Sequence, residues 1–87
     1  MYLIVYEKKA LKDIPKLKAA HLDNNVRELI EIIRENPFQS PPRFEKLSGD
    51  LKGLVSRRIN AKHRFVYQVL EDDMIVKIVS MWTHYEF

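Results

Sequence analysis

Glu45, Arg64 and the adjacent pair His84-Tyr85 are residue types from which acid–base chemistry on a phosphodiester can be assembled. A carboxylate can take a proton. A guanidinium stays charged and matches phosphate in a fork, and an imidazole, with its usual pKa of about 6.5, can give a proton near neutrality. Other chemistries find less support. His21, His63 and His84 are far apart and lack the paired spacing of a zinc site, so no metal is expected. There is no Gly-rich phosphate loop and no serine elbow, so a nucleophile must come from water or from the substrate. RNA carries its own nucleophile, the 2′-OH. Its cleavage needs a base for that proton, cations for the charged phosphorane, and an acid for the departing 5′-oxygen.

On spacing alone each residue also has a plainer role. Glu45 can be a surface charge in a connector, and Arg64 can pair with Glu71 or Asp72. His84 and Tyr85 can be surface residues near a chain end. Trp82 suits a core, whereas Tyr85 and Phe87 are candidates for stacking on bases.

Charge distribution narrows the choice of partner. The chain of 87 residues has a net charge of +3, and Leu51 to Leu70 contains Lys52, Arg57, Arg58, Lys62 and Arg64 but no Asp or Glu. The rest holds ten basic and twelve acidic residues, so the whole positive excess lies in one block. Such a block is either a solvated basic strand pair or a face that binds a polyanion.

The elements that must position these residues follow from periodicity. Tyr2–Tyr6 reads as a short buried strand. Ala10, Leu11, Ile14, Leu17 and Ala20 recur at helical spacing across roughly residues 8–22, with Pro15 expected to kink the helix or restart it behind an Asp13 cap. A second helix presents Leu22, Val26, Leu29, Ile30 and Ile33 on one stripe, starts from an Asp23 or Asn24 cap, and stops at Asn36-Pro37. Pro37–Pro42 must be an extended connector, with Glu45 beyond it. Three strands follow: Leu54–Ile59, Arg64–Leu70 and Met74–Trp82. The expected class is α+β: two helices in the N-terminal half on one face of a small, antiparallel-dominated sheet, ordered strand, two helices, three strands. A chain this short has room for one domain, residues 1–87, with one core. At 46% hydrophobic and 31% charged residues it should fold. The absence of cysteine suits a reducing compartment. MYLIVYEKK has neither the basic leader nor the long apolar run of a secretory signal, and no stretch approaches the ~20 apolar residues of a membrane span. The expectation is a cytoplasmic protein without a membrane partner.

Taken together, the run Glu45-Lys46-Leu47-Ser48-Gly49-Asp50-Leu51-Lys52-Gly53, then Ser56-Arg57-Arg58-Ile59-Asn60, then His63-Arg64-Phe65-Val66-Tyr67 and the late His84-Tyr85 resembles the YoeB/Txe toxins of bacterial toxin–antitoxin modules, within the RelE superfamily. The resemblance covers essentially the whole chain and includes the Asn36-Pro37-Phe38 helix exit. It implies a RelE-like fold and a cofactor-free endoribonuclease that cuts mRNA in the ribosomal A site and so inhibits translation. It makes Glu45 the general base, Arg64 the phosphate-stabilising cation, His84 the general acid, and Tyr85 the residue that orients substrate or assists proton transfer. Arg58 matches a residue implicated in holding RNA, and Lys46, Lys52, Arg57 and Lys62 join it as expected RNA contacts. The implied partners are mRNA, the ribosome and a cognate antitoxin, with operator DNA bound only through the antitoxin complex; relatives also form homodimers.

The sequence departs from many relatives where Glu86 and Phe87 follow the tyrosine. Lys46 and Val55 replace a frequent proline and aromatic residue, and Ser48 stands where some carry lysine. Two other functions remain consistent with the fold: a toxin with another target such as DNA gyrase, as in the ParE branch, and a non-catalytic nucleic-acid-binding module. A base and an acid are superfluous to binding alone, which favours the nuclease.

Overall fold

The computed structural model describes residues 1–83, Thr83 by its backbone alone. Strand β1 (Leu3–Tyr6) leads into helices α1 (Lys8–Ala19) and α2 (Asp23–Glu35), followed by strands β2 (Phe44–Lys46), β3 (Leu54–Arg58), β4 (Arg64–Leu70) and β5 (Ile75–Thr83). The five strands form one sheet in the order β1-β5-β4-β3-β2. The β1–β5 pair is parallel and the other three pairs are antiparallel. The α+β architecture and its antiparallel dominance agree with the sequence reading.

The apolar stripes meet where periodicity places them. Ala10 and Leu17 of α1 and Val26, Leu29 and Ile33 of α2 are buried against Val55, Phe65, Tyr67, Val76, Ile78 and Met81 of the sheet. Both helices therefore cover one face, and the residues that alternate with these sheet positions face the other way.

Several local expectations are corrected. Helix α1 is not restarted at Pro15 but runs through it. Asp13 does not cap a helix: it is buried at 3% exposure, and its Oδ2 accepts a hydrogen bond from the Met81 amide at 3.0 Å. Its other oxygen lies 3.8 Å from the Lys16 ammonium. The helix stops at Ala19 because His21 adopts a left-handed φ of 58°. The Leu22 amide then donates to the Leu17 carbonyl and the His21 amide to that of Lys18. This paired closure normally uses glycine, so residue type did not announce it. Helix α2 begins after Leu22 without a side-chain cap, and Asp23 instead occupies the first turn, where its charge faces the positive end of the helix dipole. Its exit at Asn36-Pro37 is as expected.

Strand β1 is an edge strand rather than a buried one, with Leu3 62% exposed. Phe44–Lys46, expected as connector, pairs with β3 as the three-residue strand β2. Strand β5 starts at Ile75 because Met74 takes a left-handed φ of 55°. No helix among the described residues is long and apolar enough to cross a membrane.

Candidate active site on the face away from the helices

The connector from Pro37 to Pro42 contains three prolines, so it offers carbonyl oxygens with few amides to pair among themselves. Arg57 supplies the missing donors. Its Nη1 donates to the Pro42 carbonyl at 2.6 Å and its Nη2 to those of Pro37 and Gln39 at 3.1 and 2.8 Å. Its Nε donates to the Tyr67 hydroxyl at 2.9 Å, which in turn donates to the Pro37 carbonyl at 2.6 Å. Only 1% of Arg57 is exposed. The expectation that Arg57 contacts RNA is therefore corrected: its guanidinium is spent inside the protein, fixing the connector that delivers the chain into β2.

Glu45 sits at the centre of β2, directly opposite Ser56 of β3. Ser56 is opposite Val66 of β4, and Val66 opposite Ser80 of β5. These four positions make one row across the sheet, on the face turned away from the helices. The adjoining row on that face includes Arg58 and its partner Arg64, whose backbone pairs in turn with Thr83. Two strands and one short edge strand thus bring Glu45 and Arg64, nineteen positions apart in sequence, onto a common surface.

There the Arg64 Nη1 lies 3.9 Å from the Glu45 Oε2 and 3.4 Å from the Ser56 hydroxyl. Arg43 approaches the other Glu45 oxygen at 3.8 Å. Pro42, Arg43, Glu45, Ser56, Arg58 and Arg64 line a cleft of about 130 Å³. Arg64 is the more enclosed partner, its side chain 14% exposed against 32% for Glu45 and 88% for Arg43. One carboxylate among three guanidinium groups gives the cleft a positive balance, suited to an anion that leaves the carboxylate within reach of a proton. Arg64 does not pair with Glu71 or Asp72, which follow the far end of β4. Six residues of strand lie between Arg64 and Glu71, roughly 3.4 Å for each residue.

The other expected RNA contacts divide. Arg58 is exposed and lines the cleft. Lys62 is exposed in the β3–β4 loop, where its amide donates to the Asn60 side chain at 2.9 Å. Lys46 follows Glu45 and so faces the helix side, its ammonium 5.1 Å from the centre of the Phe38 ring. With Lys52 it lines a separate groove of about 340 Å³ that includes Phe38, Leu54 and Val69. Neither lysine is on the cleft's face. Trp82 is half-buried and packs on the core. His84 and Tyr85, the expected acid and its neighbour, lie outside the described residues.

Two cleft residues were not singled out from sequence. Arg43 precedes Glu45 by two positions in extended chain, and that period-two spacing was a usable signal for a shared side. Ser56 needed the strand register, which nothing local specifies.

The family model for YoeB-like toxins of bacterial type II toxin–antitoxin systems matches residues 6–85. The toxin YoeB of Synechocystis is 40% identical over 58 residues, covering 67% of this chain and 65% of that protein. The matched stretch thus spans just under two thirds of that relative's length. Among solved structures, a YoeB/ParE toxin from Agrobacterium tumefaciens has a TM-score of 0.86 at 29% identity, over 95% of this chain and 99% of its own. YoeB in the YoeB–YefM complex from Staphylococcus aureus gives 0.80 at 33% identity, over 98% and 99%. A YoeB dimer from the same organism gives 0.81 at 33%, over 97% and 98%. With both helices, all five strands and the cleft residues inside or touching the matched span, the chain belongs to the YoeB-like toxin family of bacterial type II toxin–antitoxin systems.

Proposed function

We propose that this chain is a metal-independent endoribonuclease that cuts mRNA in the ribosomal A site and thereby inhibits translation. The observation that carries the reading is the facing pair Glu45 and Arg64, 3.9 Å apart in a cleft rich in arginine on the sheet face away from α1 and α2. In the proposed reaction Glu45 takes the proton from a ribose 2′-OH, whose oxygen attacks the adjacent phosphorus. The bond from phosphorus to the 5′-oxygen breaks, and His84 protonates that oxygen. The products are a 2′,3′-cyclic phosphate and a 5′-hydroxyl. Arg64, assisted by Arg58, holds the phosphate and offsets the charge that grows on it in the transition state. Tyr85 orients the substrate beside His84.

The proposed partners are mRNA, the ribosome and a cognate antitoxin in the cytoplasm, with operator DNA engaged only through the antitoxin complex. The S. aureus relative's complex with YefM supports the antitoxin, and its dimer supports a homodimer of this chain. Primer extension on mRNA from translating ribosomes tests the function. Cuts inside codons that occupy the A site are expected. An intact message, or an arrest of DNA replication that precedes any loss of translation, would overturn the reading.

A further inference from the structure

The loop from β3 to β4 is built around His63. The Ile59 amide donates to the His63 carbonyl at 2.9 Å, and the Asn60 side-chain oxygen accepts from the Lys62 and His63 amides at 2.9 and 2.7 Å. The loop's backbone is thereby set, and His63 is held at only 6% exposure. Its ring stacks on Trp82, with centroids 3.8 Å apart and planes 21° from parallel.

The location matters more than the contact. His63 immediately precedes Arg64, and Trp82 immediately precedes Thr83. Among the described residues, Arg64 and Thr83 are the last register partners of the β4–β5 ladder. Strand ends are where a ladder opens first, because the terminal residues have neighbours on one side only. Here the final pair carries the cation of the cleft on one strand and leads directly to His84 on the other.

We propose that the His63–Trp82 stack is a positioning device that holds the β4–β5 ladder together at its Arg64–Thr83 pair and so fixes Arg64 in the cleft. His63 acts through its ring surface, from behind the sheet. This role rests on the ribonuclease reading above. Misplacing a transition-state cation by an ångström costs rate, on the order of 10²-fold.

The test compares the full chain with H63F, which keeps a flat ring, and H63L, which fills space without one. Trp82 is the sole tryptophan, so its emission reports the stack without reference to cleavage. H63L should change the intensity and shift the emission to longer wavelength, and H63F should restore the wavelength. Cleavage of ribosome-bound mRNA should show kcat lowered about 10- to 100-fold in H63L with KM within about twofold, and near-parental kcat in H63F. Unaltered Trp82 emission in H63L would mean that the stack does not form in solution and would overturn the inference. So would an H63L that cuts like the parent, or an H63F as slow as H63L, which would point to the imidazole nitrogens. A parent that cuts no message overturns the ribonuclease reading and this role together, whereas an active parent beside an equally active H63L overturns the role alone.

Discussion

The carboxylate of Glu45 and the guanidinium of Arg64 meet at 3.9 Å with about a third of the glutamate side chain in water. At that exposure an ion pair contributes roughly 0–1 kcal/mol to stability. The pair is therefore poorly explained as a device for holding the fold, and removing it should separate activity from folding. E45Q is expected to lower cleavage of ribosome-bound mRNA by about 10²–10⁴-fold while the thermal midpoint stays nearly unchanged. A midpoint that falls together with the rate would make Glu45 structural. Tyr67 presents the opposite case. Its hydroxyl is enclosed between Arg57 and the Pro37 carbonyl, and burial raises its pKa above the ordinary 10.0, with the hydrogen bond and charge of Arg57 pulling the other way. A raised folded-state pKa means that the neutral phenol stabilises the fold fully below about pH 10 and loses that contribution as pH rises through the folded value. Denaturant melts should show the parent weakening above pH 10 more steeply than Y67F. Below that pH, Y67F should be less stable by about 1–2 kcal/mol, from the lost buried hydrogen bonds. Parallel pH profiles for the two proteins would contradict this.

At the scale of elements, the site depends on how strand ends are anchored. Strand β5 carries two residues more than β4 between the Tyr67–Ile78 and Arg64–Thr83 pairs. The extra residues let Ile78 and Met81, an odd spacing, both face the core while Ser80 faces away, which no simple alternation allows. Asp13 fastens this irregular stretch to α1 by accepting the Met81 amide. D13A should leave that buried amide without its partner and cost about 1–3 kcal/mol, read by urea denaturation. D13N, which keeps an acceptor, should recover part of the loss. Equal stability of the parent and D13A would show that the Asp13–Met81 tie is dispensable. Element choice was largely legible in the sequence: both helices and four of the five strands follow from periodicity and residue type. Strand β2 was not, because three residues give no period and the strand exists only through its pairing with β3. The close of α1 at His21 escaped for a different reason. A left-handed histidine is sustained by the docking of Leu22 on the core rather than by its own preference.

Over the whole molecule, the basic residues around Glu45 and in the block after it part between two surfaces and the interior. Arg58, Arg64 and the preceding Arg43 gather at the cleft, Lys46 and Lys52 line the Phe38 groove on the other side, and Arg57 is withdrawn into the interior. RNA held at the cleft should respond unequally to these residues. R58A should weaken single-stranded RNA binding and reduce the slope of log affinity against log salt by about 0.7, the loss of one phosphate contact. K46A should change both much less. A titration series at several salt concentrations checks this, and equal slopes for the two variants would contradict an RNA path confined to the cleft face. The sequence by itself determined the fold class, the helix faces, the basic block and, through a family resemblance, which side chains to examine. These depend on local periodicity and residue chemistry, which a chain carries without folding. Only the tertiary structure decided which cations stand beside Glu45. Every position on a strand is assigned to a face by its register, and register is a property of the paired strands. Thus Arg57 and Arg58, neighbours in sequence and alike in chemistry, became a buried clamp on the proline connector and an exposed wall of the cleft.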